Sequence, residues 1–124
     1  MTFPQVLTIA GSDSGGGAGI QADIKTFQER RTFGMSVITA ITAQNTLGVK
    51  AVHKIPVEMI REQCDAIAED FQVSAVKTGM LADAEIIREV VRNIRLHNFP
   101  NLVIDPVMIA KGGTALLENE ATQV

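Results

Sequence analysis

The chain has 124 residues, which is room for one ordinary domain and not for two. Hydrophobic residues make up 46% and charged residues 20%, and with only 4% aromatics and no Trp or Tyr the core must be aliphatic. The 11 basic and 14 acidic residues are scattered, for a net charge of -3, which argues against a nucleic-acid partner and against binding to an anionic membrane surface.

Met1-Thr2-Phe3-Pro4 lacks the basic start of a secretory leader, and no stretch approaches the ~20 apolar residues of a membrane span. The single Cys64 excludes an intramolecular disulfide and a cysteine metal cluster. The expectation is a soluble cytoplasmic protein.

Val6 to Ala10 is a short apolar run ended by Gly11 and reads as a buried strand. The glycine-rich stretch Gly11 to Gly19 follows, and Ile20, Ile24 and Phe27 then recur at helical spacing until Gly34. Met35 to Ala43, rich in Val, Ile and Thr, reads as a second strand. A turn near Asn45 to Gly48 leads into a short extra strand, Val49 to Ile55. Pro56 suits the first turn of a helix whose buried face would hold Ile60, Cys64, Ile67, Ala68 and Phe71.

Val73 to Lys77 is a third core strand, ended by Thr78-Gly79. Asp83 suits the N-cap of the next helix, with Ile86, Ile87, Val90, Val91 and Ile94 on its buried face and Asn98 and Pro100 to stop it. Leu102-Val103-Ile104 makes a fourth core strand, broken at Asp105-Pro106. This alternation predicts an α/β fold of βαβ units with right-handed crossovers and a mostly parallel sheet.

In open sheets of this kind ligands bind outside the carboxyl ends of the strands. Gly11-Ser12-Asp13, Gln44-Asn45-Thr46, Thr78-Gly79-Met80 and Asp105-Pro106-Val107-Met108 follow the four strands, so they are expected to converge on one small-molecule pocket. Gly15-Gly16-Gly17-Ala18-Gly19 is not a P-loop, because Ile20-Gln21 stands where Lys and Ser or Thr are needed. The glycine spacing and the lack of Asp or Glu between Met35 and Gln44 also disfavour a nicotinamide-dependent oxidoreductase. What remains is a loop that lines or closes over a small substrate, its backbone N–H groups and positive helix end aimed at the ligand.

The run from Thr8 to Asp23 resembles the opening signature of the hydroxymethylpyrimidine/phosphomethylpyrimidine kinases of thiamine biosynthesis. Thr42 to Thr46, Val76 to Met80 and Val103 to Met108 resemble that family's next three blocks, in order and at the right separation. The resemblance implies a ribokinase-like fold with helices on both faces of the sheet. Residues 1–124 would form the amino-terminal part of a single kinase domain, truncated before its carboxyl-terminal half. It also implies phosphoryl transfer from ATP with Mg²⁺ to the hydroxymethyl group of the pyrimidine and then to its monophosphate. Pairing into a homodimer, common in that family, is a further expectation. Pyridoxal kinases are relatives, and a pyridoxine or pyridoxal kinase is the neighbouring alternative.

On this resemblance Gln44 recognises substrate, its amide supplying a donor and an acceptor to the amino group and adjacent ring nitrogen of an aminopyrimidine. Asp23, about one helical turn after Gly19, would accept a hydrogen bond from it. Gly11, Ala18, Met80 and Val107 would wall the ring, although Met80 reads equally well as core filler. Asp105, ending a buried strand where a lone carboxylate is costly, would face the phosphate-bound Mg²⁺ or else simply form a turn before Pro106.

Lys77 reads as structural, with its ammonium reaching the rim. His53, His97 and Cys64 receive no role. The second glycine-rich block, which in these kinases serves the anion hole, the activated hydroxyl and most of the ATP site, has no counterpart before Val124. No catalytic residue is therefore assigned, the chain alone is expected to be inactive, and a non-catalytic pyrimidine-binding fragment is the second alternative.

Overall fold

The computed structural model describes residues 3–106. Eight elements follow in chain order: β1 (Gln5–Asp13), α1 (Gly19–Glu29), β2 (Phe33–Asn45), β3 (Gly48–Lys54), α2 (Val57–Asp70), β4 (Val73–Thr78), α3 (Ala84–Leu96) and β5 (Leu102–Ile104). They build one sheet in the order β3-β2-β1-β4-β5, parallel except where β3 runs back along β2.

Side chains alternate across β1, and the two faces differ in chemistry. Leu7 and Ile9, fully buried, join Met35, Val37 and Val76 beneath α2 and α3, where Ile60, Cys64, Ile86 and Val90 complete an aliphatic core. Thr8, on the opposite face, donates its hydroxyl to Asp23 of α1 at 2.6 Å. Helices therefore cover both faces, as expected. Burial pushes the Cys64 thiol up to about 12, so it is neutral and packs as a small hydrophobe.

Order within the sheet places the opening for a ligand. The chain leaves β1 for β2 through α1, then crosses back past β1 to reach β4 through α2. Right-handed crossovers send these connections to opposite faces, so the segments after β1 and β4 diverge and leave a crevice at the carboxyl ends of the strands.

Several elements run past their expected limits. β1 continues through Gly11 and Ser12 to Asp13, with a register slip against β2 between Ala10 and Ser12. β2 continues to Asn45, so Gln44 and Asn45 sit within a ladder, paired with Val49 and Gly48, and Thr46-Leu47 alone makes the turn.

Among the described residues β5 does not take the core position expected of it. It pairs only with β4 and its three side chains are exposed, because it lies at the sheet edge among the described residues. In α3 Ile86 and Val90 are buried but Val91 is exposed, and Glu89 and Asn93 share the buried stripe.

Those two polar residues form the seam between α3 and α2. The Glu89 carboxylate accepts a forked pair of bonds from Arg61, at 3.2 and 3.0 Å, and further bonds from Asn93 and Arg92. Arg61 above all, helped by Asn93 and Arg92, holds the Glu89 carboxyl down to about 2 against the opposing cost of burial. A carboxyl depressed in the folded state stabilises fully above its unfolded value near 4.5, and that contribution is lost as pH falls toward 2. Asp83 caps α3 as expected, accepting from Ile86 N–H at 2.8 Å, and Asn98 ends it in a left-handed conformation with φ 53°.

Glu89→Gln should lower stability at neutral pH by about 2 kcal/mol. It should also flatten the acid limb between pH 4.5 and 2, as read by urea unfolding across that range.

Candidate active site

The crevice is a cavity of about 460 Å³ at the carboxyl ends of β1, β2 and β4. Each rim segment contributes: Gly11 to Asp13 from β1, Thr42 to Thr46 from β2 and its turn, Lys77, Gly79 and Met80 from β4, and Asp105 after β5. Gly15, Gly17, Ala18 and Gly19 roof it, and Ala22 and Asp23 of α1 close one side. The structure thus brings together Gly11, Ala18, Asp23, Gln44, Met80 and Asp105, while Val107 lies outside the described residues.

The glycine loop lines the cavity, but its amides do not point at a ligand. Asp13, buried at the end of β1, turns its carboxylate into the loop and accepts from the N–H groups of Gly15 (2.8 Å), Gly17 (3.1 Å) and Ala18 (2.9 Å). Its own carbonyl accepts from Gly16 N–H at 3.0 Å. The amides that were expected to face a ligand are occupied from within, and a carboxylate stands where a bound anion would need to be. Lys25 fastens the outer side by donating to Gly16 O at 3.0 Å.

Gly19 turns the chain into α1 with φ +63°, and a Cβ there would collide with the Gly11 carbonyl oxygen. Peptide edges and Cα hydrogens therefore line the roof. That surface suits the face of a flat, uncharged ring better than a phosphate.

Gln44 is held at both its backbone and its side chain. Ser14 of the loop donates to Gln44 O at 2.6 Å and accepts from Gln44 N–H at 2.8 Å, which fastens the loop to the end of β2. The amide meets the hydroxyl of Thr42, with Oε1 placed 3.0 Å from Oγ1. A second amide, that of Gln21, braces the end of β1, accepting from Asp13 N–H at 2.8 Å and donating to Ser12 Oγ at 2.7 Å.

Asp23 reaches the cavity, but Oδ2 already accepts from Lys77 Nζ at 2.8 Å and from Thr8. Lys77 is the basic residue of the cavity lining and bridges α1 to β4, with Asp105 4.0 Å away on its other side. Among the described residues Asp105 is 58% exposed, at the edge of the sheet they form, with the Lys77 ammonium beside it. Met80 is buried, its terminal methyl close against Gly11 and its carbonyl accepting from Thr39.

Asp13, Thr42, Ser14 and Lys77 were not singled out as site residues from the sequence. For Asp13 a signal was present, since an Asp two positions before a glycine run is the pattern of a side chain folding back on its own backbone. Lys77 was hidden because its partner Asp23 is 54 positions away. His97 bonds Asp65 at 2.9 Å and packs against Phe99, well away from the cavity lining. No described helix is long and apolar enough to cross a membrane.

A doubly wound α/β sheet with a cavity at its switch point is the arrangement in which such folds bind small molecules. A sequence profile described as phosphomethylpyrimidine kinase matches residues 13–124, and the chain belongs to that family. It is 63% identical over 121 residues to the hydroxymethylpyrimidine/phosphomethylpyrimidine kinase of Bacillus subtilis, a match covering 98% of this chain and 45% of that protein. The crystal structure of a phosphomethylpyrimidine kinase from Clostridium difficile 630 superposes with a TM-score of 0.90 at 56% identity, over 97% of this chain and 52% of that one.

A pyridoxal kinase from Staphylococcus aureus, solved in complex with AMP-PCP and pyridoxal, gives a TM-score of 0.78 at 39% identity over 87% of this chain and 40% of its own. The fold is that of the ribokinase-like vitamin kinases. The chain spans about half the length of the curated relatives it matches.

Asp13→Ala should free the loop amides. Hydrogen exchange at Gly15, Gly17 and Ala18 should rise at least tenfold while the core amides of β1 keep their protection, as read by exchange NMR.

Proposed function

We propose that residues 1–124 are the amino-terminal, substrate-recognising part of a single kinase domain. In the complete protein that domain uses ATP to phosphorylate 4-amino-5-hydroxymethyl-2-methylpyrimidine and its monophosphate for thiamine biosynthesis. Family membership supports the class of reaction. The observation that carries the substrate is Gln44, whose backbone is held by Ser14 and whose side-chain amide meets Thr42 at the cavity wall, beneath a roof whose amides are already bonded to Asp13. Such a cavity selects a neutral heterocycle by its hydrogen-bonding edge.

In this reading Gln44 pairs with the amino group and ring nitrogen, and Gly11, Ala18 and Met80 pack on the ring, with Val107 as a further wall. Asp23, bonded to Lys77 and Thr8 through Oδ2, offers its remaining oxygen to the substrate. The same Lys77 places a positive charge on the cavity wall near Asp105, where the monophosphate of the second step would gain from it.

Among the described residues no group of three or more His, Cys, Asp or Glu could hold a metal ion. Asp105 therefore fits Mg²⁺ only as one carboxylate of a shell otherwise made by phosphate oxygens and water, which is how Mg²⁺ is commonly held beside nucleotides. Bound there, the ion would neutralise charge on the transferring phosphoryl group. With less than half of its relatives' length, the chain alone is proposed to bind pyrimidine without turning it over. The S. aureus relative motivates a second reading, in which pyridoxal is also accepted.

Calorimetry of the chain with the hydroxymethylpyrimidine and with pyridoxal decides between these readings. Binding of the pyrimidine alone is expected; tighter binding of pyridoxal would transfer the assignment, and product formation on adding ATP and Mg²⁺ would disprove the inactivity. Gln44→Ala should weaken pyrimidine binding by about 1–3 kcal/mol, and unchanged affinity would remove Gln44 from the site.

A further inference from the structure

Thr42 is buried at the end of β2, and its single hydroxyl faces two oxygens. Oγ1 lies 2.9 Å from the carbonyl oxygen of Ser12 and 3.0 Å from the Gln44 amide atom placed as Oε1. A hydroxyl carries one proton and can donate only once. Given to Gln44, that proton leaves Thr42 Oγ1 and Ser12 O facing each other at 2.9 Å with nothing between them, a repulsive contact. Given to Ser12 O, which can only accept, it leaves Oγ1 able to accept but not to donate.

The amide must then present its NH₂ to Thr42. The oxygen and nitrogen of a carboxamide are alike in shape, and the bonding network decides which is which. As placed, Nε2 has no hydrogen-bond partner among the described residues, so turning the amide over breaks no bond and satisfies both contacts of Thr42. Gln21 shows the contrast: its oxygen meets a backbone N–H, a pure donor, so its orientation is already fixed.

We propose that Thr42 is a specificity-determining, positioning residue. By donating its hydroxyl hydrogen bond to the Ser12 carbonyl it locks the Gln44 amide with nitrogen toward β1, so that the cavity meets a carbonyl acceptor and the remaining N–H in a fixed order. The consequence for substrate rests on the pyrimidine reading above. An aminopyrimidine offers a donor amino group beside an acceptor ring nitrogen, whereas its 4-oxo counterpart offers an acceptor beside an N–H donor. An amide free to rotate could serve either; a locked one serves only one of them, which on the pyrimidine reading is the amino form.

Two measurements test this, and the first needs no ligand. In the ¹⁵N-labelled chain the Gln44 side-chain NH₂ protons should show cross-relaxation to Thr42 Hβ and its methyl group. Their absence from an otherwise assigned spectrum overturns the orientation.

The second compares binding of 4-amino-5-hydroxymethyl-2-methylpyrimidine and its 4-oxo analogue. The native chain should prefer the amino form at least tenfold. Thr42→Val, which keeps the shape and removes the hydroxyl, should bring the two affinities within about threefold. Thr42→Ser should restore the preference. A preference unchanged in Thr42→Val, or not restored in Thr42→Ser, refutes the role of the hydroxyl. A chain that binds neither pyrimidine defeats the substrate reading and the selectivity with it, while the amide orientation is still judged by the spectrum alone.

Discussion

One buried carboxylate governs the site. Asp13 ends the first strand and gathers the amides of Gly15, Gly17 and Ala18, so a segment that would otherwise sample many conformations has one. Charge-assisted bonds to a carboxylate are stronger than bonds between neutral groups, and here three of them offset the large entropy lost on ordering glycines. Everything nearer the cavity leans on that arrangement. Ser14 can reach the Gln44 backbone, and α1 can start at Gly19, only if the loop holds its course.

Around this clamp the sheet supplies position and side chains supply polarity. The crossing of the chain past β1 opens the crevice, and α1 brings Asp23 to its side. Lys77 and Thr8 then tie Asp23 to the two strands flanking the opening, joining helix and sheet by polar bonds on the face opposite the aliphatic core. The division is sensible: packing on the α2 and α3 face gives stability, and the wetter α1 face borders the cavity.

Much of the fold was legible because apolar runs alternated with helical periodicity and punctuating glycines, and Asp83 and Asn98 marked the limits of α3 as such residues do. Burial was less legible. Leu102-Val103-Ile104 has the composition of a core strand, yet composition cannot report whether a strand is flanked on one side or two. Glu89 and Asn93 lie on a buried helical stripe because Arg61 of another helix supplies the compensating charge, a contact no local pattern encodes. Within the site, convergence of the strand ends followed from topology, but the direction in which the glycine amides point depended on Asp13, whose side chain could equally have faced water.

The peptide roof has a bearing on how such a protein diversifies. It would meet any ring through surfaces common to every residue, so it carries no information about which heteroatoms a ring bears. Such information is confined to a few groups at the strand ends, Gln44 and its neighbour Thr42 foremost. A descendant could therefore adopt a different ligand by altering those side chains, leaving the labour-intensive part of the architecture untouched.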